Sequence, residues 1–250
     1  MQLFIRTIGA KYRKSFLGYF WMIFPAILVS GGVSMASGAG VINPGEVGLP
    51  YLLFAFLGTL IWQVFAEAFE VPFQAFQGAR TYLTRVNFPR GAVVLAQTYE
   101  SLITMAVRLG LSLLLVAVFH GITVTGIALM VIGFVGALLL GIGLGLLLTP
   151  FMLLFADLHN TVKLILSYGM FLTPAVYIPK EPGLFATVVN GNPIAPLMQV
   201  VRDGAASSVL NVPLALGVSL VTAMVLIVVG MALLRLAAPI VIERMLLGGR

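Results

Sequence analysis

The sequence predicts an all-α integral membrane protein: six transmembrane helices per chain, a short amphipathic interface helix before them, and re-entrant helices between the fifth and sixth spans. Three observations carry this expectation. The 250 residues are 60% hydrophobic and only 9% charged, with a mean hydropathy of +1.11, which is more apolar surface than a soluble core of this size hides. Apolar runs of about 20 residues recur along the chain, each long enough to cross hydrocarbon as a helix. The basic residues collect on alternate connections between those runs, as they do where alternate loops face the cytoplasm.

Residues 1–14 are short, basic and amphipathic. At helical spacing Met1, Phe4, Ile5, Ile8 and Tyr12 share one face while Gln2, Arg6 and Arg13 lie opposite, the pattern of a helix lying flat on a membrane surface. The first predicted span, 16–40, is entered from Lys11, Arg13 and Lys14. A cleaved signal peptide is the competing reading, but the apolar run is longer than a typical signal core. Residues 41–50 carry Glu46 and no Lys or Arg, which suits an outer loop. A second span follows at 51–76, and residues 77–91 form a loop with Arg80, Arg85 and Arg90.

The third span runs over 92–119, a turn over 120–125 and the fourth span over 126–155. Asp157, His159 and Lys163 mark the inner end before a fifth span at 162–178, where Pro174 is expected to loosen the helix near its outer end. Residues 179–211 are too polar and too interrupted by Pro179, Pro182, Pro193 and Pro196 to cross; two short helices, at 184–189 and 197–206, are expected to be re-entrant or interfacial and to form an outer gate segment. The sixth span occupies 212–237.

Arg6, Lys11, Arg13, Lys14, Arg80, Arg85, Arg90, Lys163, Arg235, Arg244 and Arg250 then lie inside, eleven of the fourteen basic residues, while Lys180 and Arg202 lie outside and Arg108 within the third span. This asymmetry places both termini in the cytoplasm. It also accounts for the net charge of +6 without nucleic acid as a partner.

The loop at 77–91 has more structure than a connection needs. Residues 79–86 can make two helical turns before Pro89, with Tyr82, Leu83, Val86 and Phe88 as an apolar patch rimmed by arginine. Two readings stand: a knob that docks into a soluble partner, and basic anchors facing anionic lipid headgroups.

Glu67 and Glu70 in the second span and Glu100 and Arg108 in the third are intramembrane charges, which face a bundle interior or water and find partners. A structural ion pair between Arg108 and Glu67 is one reading, a proton or substrate relay the other. Gly141-x-x-x-Gly145 and the small residues of 30–40 suit close helix packing.

Catalysis finds no foothold. The chain has no cysteine and two histidines, His120 expected outside and His159 inside, so neither a thiolate metal site nor a shared histidine site is available. No catalytic, metal or cofactor site is expected in this chain. Without G-x-x-x-x-G-K-[ST] it has no P-loop for ATP, and nothing in it resembles a channel selectivity filter.

Residues 12–25, Y-R-K-S-F-L-G-Y-F-W-M-I-F-P, resemble the entry to the first span of ABC-2 type transporter permeases that export cell-surface polysaccharides (O-antigen, teichoic acid, capsule), with Tyr12, Arg13, Leu17, Gly18, Trp21 and Pro25 on the pattern. Three further blocks are similar in the same order: 83–90 ending F-P-R, 171–177 reading F-L-T-P-A-V-Y, and Asn192-Pro193 followed by 198–204. Where that family usually has Arg-Asp after the fourth span, this chain has Ala156-Asp157.

The resemblance implies a permease half that pairs with a second copy of itself, driven by two copies of a separate ABC ATPase subunit that binds ATP and Mg. It assigns ATPase coupling to Arg80, Tyr82, Leu83, Arg85, Phe88 and Arg90, with the amphipathic helix as a second contact. It makes a lipid-linked polysaccharide the cargo, with export outward across the bacterial inner membrane; a drug or antibiotic exporter of the same fold is the alternative. It also places Phe20, Trp21, Phe24, Tyr168, Phe171 and Tyr177 on the two spans that line the path. Such rings stack on sugars, although aromatics near span ends also form membrane-interface belts.

Overall fold

A computed structural model describes residues 20, 23–40, 48–79, 90–178, 183–206 and 213–247, and no strand occurs among them. The interface helix expected at 1–14, the early part of the first span and residues 80–89 of the arginine loop lie outside the described residues. The helices are α1 (Phe24–Gly38), α2 (Tyr51–Gly78), α3 (Arg90–Phe119), α4 (Val124–Leu154), α5 (Ala156–Tyr168), a 3-10 turn (Gly169–Leu172), α6 (Leu184–Asn190), α7 (Ala195–Ala205) and α8 (Pro213–Leu247). Four of them, α2, α3, α4 and α8, are long and apolar enough to cross a membrane.

α2 and α4 form the centre. α4 packs on α2, on α8 and on α7, while α1 and α3 both pack on α2. Gly141 and Gly145 set the α2–α4 approach, because a Cβ at either would collide with a backbone carbonyl oxygen of α2, that of Phe65 or of Phe69. The G-x-x-x-G pattern therefore joins two helices of one chain. α2 is the most enclosed, with 78% of its apolar window buried against 28% in α3 and 22% in α8. Those two outer helices present long apolar faces, including Leu95, Leu114, Val221 and Val228.

The α3–α4 turn forms where the glycine and polar residues of 120–125 predict it. Gly121 takes a φ of +79°, a left-handed conformation that costs glycine little, and the Thr123 side chain caps α4 by accepting from the Gly126 N–H at 3.0 Å.

The fifth predicted span differs from expectation. Its helix starts earlier, at Ala156, and ends at Tyr168; the chain then passes through the 3-10 turn and a non-helical stretch to Ile178. The break forms against α2. The Trp62 indole donates to the Leu166 carbonyl at 3.0 Å, satisfying an acceptor in the last turn of α5, and Gly169 lies against the same indole, where a Cβ would come within 2.9 Å. Thr173 then closes the turn on Met170. Pro174 sits beyond the helix and the 3-10 turn, not within them, so the loosened helix expected there is not what forms.

Even so, this segment follows α2 along its length in the opposite direction. His159 meets Phe73, Leu166 meets Trp62, Ala175 meets Gly58 and the Val176 carbonyl accepts from Tyr51 Oη at 2.8 Å. Tyr51 to Phe73 is about 33 Å of helix at 1.5 Å per residue.

The two short helices after it form where the sequence places them, at Leu184–Asn190 and Ala195–Ala205. Asn192 closes the turn that precedes α7, its side chain accepting from the Ile194 N–H at 3.1 Å. α7 runs antiparallel to the first half of α4: Gly204 meets Gly126, Val201 meets Gly133 and Leu197 meets Gly136. Its start therefore lies about 15 Å down α4 from its end.

Candidate functional site

Between Leu52 and Gly78 the polar side chains of α2, apart from the Trp62 indole, are Thr59, Gln63, Glu67, Glu70, Gln74 and Gln77. At helical spacing all six fall within an arc of about 80°. The other faces are apolar and, from Leu53 onward, almost wholly buried. The stripe opens towards the C-terminal end of the helix: Thr59 is buried, Gln63 and Glu70 are partly buried, and Glu67, Gln74 and Gln77 are exposed.

α3 flanks one side. Ser101, Thr104, Arg108 and Ser112 are its buried polar residues, and their three- and four-residue spacing puts them on one face. Both guanidinium Nη atoms of Arg108 donate to Glu67, Nη1 to Oε2 at 2.8 Å and Nη2 to Oε1. Arg108 is 2% exposed while the Glu67 side chain is 48% exposed. The ion pair read from the sequence forms, and the carboxylate is its open side. Glu100 lies about two turns away along α3, where it accepts from Gln97 Nε2 at 2.7 Å.

α5 flanks the other side. His159 Nε2 stands 3.3 Å from Glu70 Oε2, and its ring lies 3.8 Å from that of Phe73. Lys163, one turn further along α5, is exposed. α3 reaches α2 through Arg108, α5 reaches it through His159 and Leu166, and the two show no substantial packing on one another, so the stripe lies between them.

α7 packs against the N-terminal end of α2. Arg202, expected as an outer loop charge, is instead buried at 4% exposure: Nη2 donates to the Ala175 carbonyl at 2.6 Å and the guanidinium lies 3.5 Å over the Phe54 ring. Gly58 makes the room, since a Cβ there would collide with the Ala175 carbonyl oxygen and come within 2.6 Å of Arg202 Nη2. Arg202 is thus a buried structural contact and not a loop charge.

The aromatic candidates fall into separate sets. Phe20 and Phe24 lie together, ring centroids 5.2 Å apart. Tyr168 and Phe171 are exposed on α5 and the 3-10 turn, and Tyr177 stacks on Phe185 at 5.9 Å while donating to the Phe171 carbonyl. Trp21, Arg80, Tyr82, Leu83, Arg85 and Phe88 lie outside the described residues, as does the side chain of Arg90. Among the described residues no group of three His, Cys, Asp or Glu is placed to hold a metal.

Gln63, Gln74, Gln77, His159 and Arg202 complete this arrangement and are not singled out as site residues by sequence reasoning. The four- and three-residue spacing of the α2 polar positions was the available signal for the glutamines. Comparison with family models and with curated proteins returns no match.

Proposed function

We propose that this chain is the permease subunit of an ATP-driven exporter. Two copies of it, with two copies of a separate ABC ATPase, move a lipid-linked cell-surface polysaccharide outward across the bacterial cytoplasmic membrane. The observation that carries the reading is the half-exposed Glu67, ion-paired in mid-helix on an apolar α2. A carboxylate at that depth is costly against lipid tails and belongs beside water or a bundle interior. A stripe of carboxamides and carboxylates leading from it to the inner end of the helix is a wall for a hydrated path.

The outer closure fits the same account. Arg202 and Gly58 hold α7 against the N-terminal end of α2, and the Val176–Tyr51 contact holds the preceding stretch there; in this reading the stripe is open inward and shut outward. Six crossings follow if the segment alongside α2 from His159 to Val176 crosses with it and α1 is extended by the residues before Phe24. α7, beginning about 15 Å down α4, is then re-entrant. The four ordered sequence blocks supply the family and the cargo, and the Arg80–Arg90 loop supplies the contact with the ATPase.

Disrupting the gene tests the reading. The expected result is loss of a surface polysaccharide with its lipid-linked precursor accumulating on the cytoplasmic side. Intact surface glycan together with new sensitivity to a drug would replace the cargo and keep the permease; intact glycan with no transport defect would remove the proposal.

A further inference from the structure

Resting on the reading of the α2 stripe as a path wall, we infer that its cargo surface is uncharged and hydroxyl-rich, not polyanionic. Among the described residues the carboxylates of the stripe have neighbours: Glu67 is held by Arg108, Glu70 stands beside the His159 ring, and Lys163 is an exposed cation on α5. Recognition of phosphate or carboxylate polymers relies on arginines that present their forked donors to the ligand. Arg108, the arginine at the stripe, turns its donors to Glu67 and is almost fully buried. What the stripe offers a passing chain is carboxamide and carboxylate: Gln63, Glu67, Glu70, Gln74 and Gln77, spaced about one turn apart.

Two buried acceptors sharpen the chemistry. Gln63 Oε1 and Glu70 Oε1 meet no hydrogen-bond donor from the protein, and such atoms carry a cost until a donor reaches them. Both belong to the stripe, two turns apart. Both oxygens are enclosed while the rest of each side chain is partly exposed, so a turn of the side chain presents them, and a hydroxyl is the donor that suits them: it donates to a carboxylate or carboxamide oxygen and accepts from a glutamine N–H, with no charge to match. A phosphodiester or carboxylate has only acceptors and would face Glu67.

The chain has no native cysteine, so Gln63→Cys, Gln74→Cys and Gln77→Cys in the full-length protein reconstituted into vesicles supply the test. Thiosulfonates that are neutral, anionic (sulfonatoethyl) and cationic (trimethylammonioethyl) report access and local charge. The expected rates for the two charged reagents lie within about threefold of each other, whereas a basic stripe would favour the anion by about tenfold or more. Glu67→Gln, which removes the carboxylate opposing Arg108, is expected to accelerate the anionic reagent at Gln74→Cys. Diglucosyl diacylglycerol in the vesicles is expected to slow labelling at Gln63→Cys and Gln74→Cys; phosphatidic acid or a cationic lipid with the same acyl chains is not. A tenfold preference for the anionic reagent, or equal protection by phosphatidic acid or the cationic lipid, overturns the inference while leaving the path intact. If no water-soluble reagent reaches any of the three positions, the path reading itself fails.

Discussion

Arg108 and Glu67 are joined by two hydrogen bonds between α2 and α3, yet one is sealed in the protein at 2% exposure and the other has a side chain 48% exposed. The two halves of this pair therefore do not carry equal energetic risk. Burial makes the cation dependent on its partner; exposure leaves the anion a second source of solvation.

That asymmetry orders two substitutions. Glu67→Ala strips the carboxylate from a buried guanidinium, which costs roughly 3 kcal/mol or more. Arg108→Met leaves a carboxylate that water can reach and replaces the guanidinium with a well-fitting apolar chain, costing about 1 kcal/mol. Thermal unfolding of the purified protein should rank Glu67→Ala below Arg108→Met. The reverse order would mean that Glu67 is covered in the assembled protein.

Gly58 sets the close approach of Ala175 and Arg202 to α2. Gly58→Ala drives a methyl group into the Ala175 carbonyl and the Arg202 guanidinium, both held by other contacts, and overpacking of this kind costs about 1–3 kcal/mol. Gly110→Ala, where a Cβ meets nothing within 4 Å, is the matched control on an exposed helix face and should be neutral or slightly stabilising. Equal unfolding temperatures for the two variants would remove Arg202 and Gly58 from the closure.

The arginine loop carries a separate expectation, drawn from its residue pattern. If the proposed function holds, Tyr82→Ala with Leu83→Ala should leave the protein folded but disconnect ATP hydrolysis from export, since aromatic anchors at interfaces commonly contribute about 2 kcal/mol or more. Export at the normal rate by the double variant, with its ATPase still bound, would assign the loop to the lipid surface.

The long helices were legible because hydropathy adds up over 25 residues or more and does not depend on what lies opposite; α2, α3, α4 and α8 stand close to where the apolar runs place them. The end of α5 was not. It depends on the Trp62 indole reaching the Leu166 carbonyl from more than 100 positions away, and no local pattern encodes that contact. Arg202 was hidden for a related reason: its proline-broken surroundings read as an outer loop, and the room for its guanidinium comes from Gly58 on another helix. At the candidate site, Glu67 and Glu70 stood out by charge and Arg108 by its isolation. Gln63, Gln74 and Gln77 did not, because a carboxamide lowers hydropathy without drawing attention, although their spacing along α2 was fully present in the sequence.

The central claim is that the α2 stripe faces water and not lipid. Spin labels placed one at a time along residues 59–77 in vesicles, read for collision with a water-soluble nickel chelate and with lipid-dissolved oxygen, test it directly. The account predicts nickel maxima at Gln63, Glu67, Glu70, Gln74 and Gln77, repeating at about 3.6 residues, with Val64, Ala68 and Val71 shielded from both. Oxygen maxima at the five stripe positions, with nickel excluded, would put the stripe against the bilayer and contradict the account.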